Sequence, residues 1–149
     1  MKPGASLAEL LGHKGGAVYS IAPDATVYDA IHAMADRSVG ALLVMRDDAL
    51  LGIISERDYT RKVILAGRSS RETRVEEIMT SNLVTASSSQ TVEEAMKLMT
   101  EARVRHLPVL EGGRVAGVVS IGDLVKWIIS AQEDVIAQLS SYIHGSYPA

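Results

Sequence analysis

The chain has 149 residues, 47% of them hydrophobic and 22% charged, with a net charge of −3, one tryptophan, no phenylalanine and no cysteine. That composition suits a folded core of Leu, Ile, Val, Met and Ala. It excludes disulfides and thiolate chemistry, and it lacks the basic excess of duplex nucleic-acid binders, so nucleic acid is not an expected partner. No apolar run approaches the roughly 18 residues that a membrane helix requires, and residues 1–9 hold no signal-peptide apolar stretch. A cytoplasmic protein with no membrane partner is expected.

In chain order, residues 18–21 read as a short extended start. A helix follows, opened by the capping-box pattern Thr26-x-x-Asp29, with Val27, Ala30, Ile31 and Met34 at helical spacing. Two aliphatic strands, 41–45 and 50–54, meet at the turn formers Asp47 and Asp48, and a second helix is expected over 56–66. Residues 67–74, Gly-Arg-Ser-Ser-Arg-Glu-Thr-Arg, are polar and read as a connector. The same order then returns. An extended start at 83–86 leads to a helix opened by Thr91-x-x-Glu94 with the stripe Val92, Ala95, Met96 and Met99. Strands 107–110 and 115–119 flank Gly112 and Gly113, and a helix is expected over 121–131. Beyond 131 a further amphipathic helix is predicted, with Val135, Ile136, Leu139, Tyr142 and Ile143 on one face.

The second half is a copy of the first. A shift of 65 residues aligns 26–60 with 91–125 without a gap and gives ten identities, from Thr26/Thr91 to Asp58/Asp123. Each copy is β-α-β-β-α, with the first two strands parallel and the last two in a hairpin. The strands are nearly continuous aliphatic runs and call for cover on both faces. The expected fold is therefore α/β, with two tandem modules packed sheet to sheet about a pseudo-two-fold axis, plus a short N-terminal and an amphipathic C-terminal helix. The expected boundaries are 1–71, 72–131 and 132–149.

One pattern carries chemistry. Gly52-Ile53-Ile54-Ser55-Glu56-Arg57-Asp58 and Gly117-Val118-Val119-Ser120-Ile121-Gly122-Asp123 share Gly, two aliphatics, Ser, any two, Asp. A Ser-x-x-Asp at a helix start is first of all an N-cap. A hydroxyl and a carboxylate on one turn also suit a vicinal diol such as that of ribose, because a carboxylate accepts two O–H bonds. Recurrence in both copies favours the second reading. The four histidines, 13, 32, 106 and 144, show no metal-site spacing. No Walker loop, Gly-x-Gly-x-x-Gly or Gly-x-Ser-x-Gly elbow is present, and Lys14-Gly15-Gly16 reads as a plain turn before a strand. No acid and base converge, so neither a catalytic residue nor a catalytic cofactor is assigned and the chain is not read as an enzyme.

These two motifs, with Arg105-His106-Leu107-Pro108-Val109, give a chain that resembles the CBS-domain family (named for cystathionine beta-synthase) in its tandem-pair form, over about three quarters of its length. The resemblance implies a regulatory module that binds AMP, ADP, ATP or NAD, and less readily S-adenosylmethionine, in the cleft between its halves. It implies that Ser55 and Asp58 hold one ribose, with Leu83 and Val84 near the base and Arg105 and His106 near the phosphates. Ser120 and Asp123 would hold a second ribose, with Val18 and Tyr19 near that base. Where one copy has Arg105 and His106, the other has Gly40 and Ala41, so the second site lacks the basic pair. Arg57 is the candidate charge there, and Lys14 is another. The implied partners are an adenosine nucleotide, a second copy in a homodimer, and an effector protein regulated in trans. The alternative is a constitutive dimerisation scaffold with empty sites.

Overall fold

In a computed structural model, residues 4–15 and 18–143 are described; Gly16 and His144 lie outside them. The chain forms two compact units. The first lies within Ala17–Val84, and the second draws on both Met1–Gly16 and Thr85–Ala149.

The first unit holds β1 (Ser20–Ile21), α2 (Val27–Arg37), β2 (Ala41–Arg46), β3 (Ala49–Ser55), α3 (Glu56–Tyr59) and α4 (Val75–Ile78). The second holds α1 (Leu7–Lys14), β4 (Ala86–Ser87), α5 (Val92–Ala102), β5 (His106–Glu111), β6 (Arg114–Ser120) and α6 (Ile121–Ile143). Each unit has a three-stranded sheet, in the orders β1-β2-β3 and β4-β5-β6. The outer pairing is parallel and the hairpin antiparallel, as the repeat predicts. Both hairpins bulge at equivalent places, Val44/Met45 and Val109/Leu110.

The expected helical stripes are the core-facing ones. Val27, Ala30 and Met34 are buried in the first unit and Val92, Ala95 and Met99 in the second. Thr26 and Thr91 cap their helices by accepting from the N–H of Asp29 and Glu94, at 3.1 Å in both. Both helices end in a non-glycine residue in the left-handed region, Ser38 (φ 54°) and Arg103 (φ 56°), where the following chain turns back toward a strand.

The structure divides the chain differently from the expected boundaries at 71 and 131. Helix α1, expected with the first module, packs in the second unit. Residues 72–84, expected to open the second module, stay with the first. Backbone hydrogen bonding explains both. Leu7 and Ala8 donate to the carbonyls of Gln90 (2.8 Å) and Ser88 (3.0 Å), and Val92 donates to Ala5 (2.9 Å). Val75 and Glu76 donate to Ala25 (2.8 Å) and Pro23 (2.9 Å), and Val27 donates to Thr73 (2.8 Å). The two sets are equivalent bond for bond, so 5–8 and 73–76 are a further internal repeat. Each segment ties itself to the loop that opens one long helix, satisfying N–H groups that a helix start leaves orphaned.

Each covering segment then reaches the middle of a β-strand. A Cβ placed on Gly117 would lie 2.7 Å from Leu11 Cδ2, and one on Gly52 would lie 2.8 Å from both Met79 Sδ and the Thr80 carbonyl oxygen. The motif glycines are therefore the places where the covering segment approaches the sheet most closely, against backbone at Gly52 and against a movable side chain at Gly117.

Two helices differ from expectation. After α3 the chain takes a π-helical turn, Thr60–Ile64, with Leu65 N–H bonded to the Thr60 carbonyl at 3.0 Å. Helix α6 runs unbroken through the expected boundary at 131, because no Gly or Pro lies between 123 and 143 to stop it. Val135, Ile136 and Leu139 on it are exposed; the side chains of Tyr142 and Ile143 lie outside those described. No helix among the described residues is long and apolar enough to cross a membrane.

The two glycines make a paired test. Gly52→Ala should cost about 2–3 kcal/mol, in the range for overpacking, since one of its clashes is with a backbone carbonyl. Gly117→Ala should cost about 1 kcal/mol, because a leucine side chain can turn aside. Thermal melts of both variants check the order; equal losses would show that the Thr80 carbonyl moves freely.

Candidate functional site

Both Ser-x-x-Asp motifs sit where a strand becomes a helix. Ser55 Oγ accepts from Asp58 N–H at 3.2 Å, and Asp58 Oδ2 accepts from Ser55 N–H at 2.9 Å and from its hydroxyl at 3.1 Å. In the second unit Ser120 Oγ accepts from Asp123 N–H at 3.1 Å, and Asp123 Oδ2 accepts from Ser120 N–H at 2.8 Å. Both motifs are thus reciprocal capping boxes, with each carboxylate fixed at a helix N-terminus.

The rest of each carboxylate's environment differs. Asp58 is buried (7% exposed). Its Oδ1 takes the Lys62 ammonium at 3.0 Å and the Thr80 hydroxyl at 3.3 Å, and Lys62 also donates to the Ile78 carbonyl at 2.9 Å. The four sites on this carboxylate are filled by the chain itself. The Asp123 side chain is 26% exposed. Lys14 Nζ donates to its Oδ2 and to the Val118 carbonyl, both at 2.7 Å. Burial acts to raise the Asp123 carboxyl. The Lys14 hydrogen bond, the Ser120 N–H and the Lys14 charge outweigh it and leave the group below its ordinary value.

Thr80 follows α4 as Gly12 follows the start of α1, so the covering segment brings a donor to each motif from different positions: a hydroxyl in one unit and an ammonium in the other. Sequence comparison at a shift of 65 does not find this, because the covering segments repeat at a shift of 68. Lys62 was also missed; its signal is an i,i+4 spacing from Asp58 on an expected helix.

The remaining predicted residues fall as follows. Ser55, Arg57, Asp58, Leu83, Val84, Val18 and Tyr19 belong to the first unit, and Arg105, His106, Ser120 and Asp123 to the second. Arg57 is exposed, and Leu83 and Val84 are half-buried. Tyr19 packs against the core of its unit and carries Arg37 over its ring at 4.7 Å. His106 is the cross-strand partner of Ser120, and the Arg105 carbonyl accepts from Ile121 N–H at 2.9 Å. Ala41 and Gly40 hold the equivalent places beside Ser55 and Glu56. Among the described residues no group of three or more His, Asp or Glu is placed to hold a metal ion.

The sequence pattern that defines the CBS domain matches residues 17–64 and 75–130. The chain belongs to the CBS-domain family. It is 45% identical over 129 residues to the mitochondrial CBS domain-containing protein CBSX3 of Arabidopsis thaliana, covering 83% of this chain and 63% of that protein. It thus spans less than two thirds of that relative. Among solved structures, a candidate signal-transduction protein with CBS domains from Burkholderia ambifaria is 50% identical with a TM-score of 0.82, over 86% of this chain and 96% of that one. A hexameric CBS-CP12 protein from bloom-forming cyanobacteria is 26% identical with a TM-score of 0.73, over 93% and 84%. CBS domains and an α/β fold are what this chain shares with them.

The lowered Asp123 carboxyl predicts an acid dependence. Its ionised form is favoured by the fold, so the stability it contributes is fully present above the unfolded value of about 3.9 and is lost as pH falls through the lower folded value. Lys14→Met removes the main opposing partner. The melting temperature of the wild type should exceed that of the variant near neutral pH, and the gap should close below about pH 4. A gap constant across that range would show that Lys14 stabilises by packing alone.

Proposed function

We propose that this CBS-domain protein is a regulatory binder of an adenosine nucleotide, AMP, ADP, ATP or NAD, with S-adenosylmethionine less favoured. The observation that supports the reading is the pair of motif carboxylates, Asp58 and Asp123, each fixed at a helix N-terminus beside a serine hydroxyl in two units of the same fold. A carboxylate held this way is oriented before a ligand arrives, which lowers the cost of binding a ribose diol. Arg105 and His106 are the proposed phosphate neighbours of the Asp58 ribose. In this reading the protein performs no catalysis and signals through a partner. A cytoplasmic location belongs to the proposal; CBSX3 is mitochondrial by its name.

A charged hydrogen bond to a ribose hydroxyl is worth about 1.5–3 kcal/mol. Asp58→Ala and Asp123→Ala should therefore each weaken AMP roughly ten- to hundred-fold at one site. Arg105→Ala should weaken the Asp58 site further, and more so at low salt. Calorimetric titration of AMP checks this. Undiminished binding in both aspartate variants would reduce the motifs to helix caps. In the wild type, a ligand at ~100 times its dissociation constant should add about 2.7 kcal/mol of stability.

The scaffold reading has an observation of its own: the carboxylates are already bonded to Lys62 and Lys14, and α6 exposes Val125, Ile129, Val135, Ile136 and Leu139. Both readings include a homodimer, and the 26%-identical cyanobacterial protein is itself an oligomer. Light scattering should give twice the monomer mass, and deletion from Glu133 onward should shift it toward monomer if α6 forms the contact. A monomer at high micromolar concentration would remove the dimer from both.

A further inference from the structure

Trp127 is the single tryptophan of the chain. It is only 5% exposed, yet its indole N–H has no hydrogen-bond partner among the described residues. Buried donors without acceptors are rare, because each loses its hydration with nothing in return. Trp127 lines a pocket of about 250 Å³ in the second unit, with Leu10, His13 and Lys14 from α1 and Asp123 and Lys126 from α6. The His13 ring meets Trp127 edge to face at 5.3 Å.

The charges of this pocket do not balance. Lys14 and Lys126 bring two ammonium groups against one carboxylate, and Lys14 already neutralises that carboxylate at 2.7 Å. Lys126 therefore leaves a net positive charge, and the imidazole adds an N–H donor. Such a lining accepts an anion and repels a cation. The volume is below the roughly 300–1,000 Å³ of pockets for drug-sized ligands, so the fit is to a small, oxygen-rich group.

We propose that this pocket is a phosphate subsite of the second unit, taking inorganic phosphate or the phosphate of a small phosphorylated ligand. Lys126 supplies the unbalanced charge and Lys14 a second ammonium shared with Asp123; the His13 imidazole is the further donor, and Trp127 forms the apolar wall of the pocket. The sequence leaves the Asp123 motif without the basic pair that Arg105 and His106 form. Here α1 supplies basic residues from the other end of the chain. That the phosphate belongs to a nucleotide whose ribose Asp123 holds rests on the function proposed above; the affinity for phosphate itself does not.

Because Trp127 is the only tryptophan, the intrinsic fluorescence of the full chain reports on this pocket. Inorganic phosphate, adenosine and AMP are titrated separately, each against chloride at equal ionic strength, with melting curves to show that the variants fold. Inorganic phosphate should shift the emission saturably. Lys126→Met should weaken that response about ten-fold, the loss expected for one charge-assisted bond, and Lys126→Arg should retain it. Asp123→Asn should tighten phosphate, by removing a negative charge and releasing Lys14, while weakening adenosine. AMP binding tighter than phosphate joins the two readings. Adenosine without effect, with phosphate still saturable, leaves the subsite standing and removes the nucleotide reading of the Asp123 motif. A phosphate response no greater than the chloride control, or one unchanged in the Lys14→Met, Lys126→Met double variant, overturns the subsite.

Discussion

Each sheet of this protein depends on a backbone segment that is remote from it in the repeat. Residues 5–8 and 73–76 bond to the loops that open α5 and α2, and the chain beyond each presses on a glycine in the last strand of the hairpin. Without them, the first N–H groups of α2 and α5, those of Val27 and Val92, would lack partners, and one stretch of each sheet would lack cover. The constraint is geometric as much as energetic. At Gly52 the approach of the Thr80 carbonyl is closer than a Cβ allows, whereas at Gly117 it is the Leu11 side chain that comes close; each glycine begins the motif that ends in Asp58 or Asp123.

That coupling links fold to chemistry. The segment that covers the glycine also ends beside the motif carboxylate, so the residue at its end decides what the carboxylate meets. In the first unit it is Thr80, a neutral hydroxyl, and the balancing charge comes from Lys62 on the next helical turn. In the second unit it is Lys14, which both pairs with Asp123 and holds the Val118 carbonyl. Two copies of one motif therefore carry different electrostatics. Asp58 is enclosed by four donors of its own chain, whereas Asp123 is more open and borders a basic pocket.

A ligand that took the place of Lys62 or Lys14 at these carboxylates would release an ammonium that must find a new acceptor. A phosphorylated ligand supplies one; an uncharged nucleoside does not. In the proposed function, such binding would be tied to a rearrangement of α1 in one unit and of the turn after α3 in the other. A regulatory protein requires such a link, since a ligand shifts a conformational equilibrium only by contacts that differ between the states. The π-helical turn at Thr60–Ile64, next to Asp58, is a type of irregularity often found at functional sites.

Much of the fold was legible in the residues alone. Period-3.6 stripes, continuous aliphatic runs split by turn formers, and Thr-x-x-acid caps gave helices α2 and α5 and both hairpins, and the 65-residue shift gave their equivalence. The paired Ser-x-x-Asp motifs were legible for the same reason: capping and carboxylate geometry are local and lie within four residues. The limits of the units were not legible. They depend on which loop a short segment bonds to, and backbone hydrogen bonds carry no side-chain signature. The two helices expected on either side of 131 are one helix, because the chain holds no helix breaker there. Lys14 beside Asp123, at a separation of 109 residues, and the unpartnered indole of Trp127 next to two lysines were decided by tertiary packing alone, since only the folded chain brings α1 against α6.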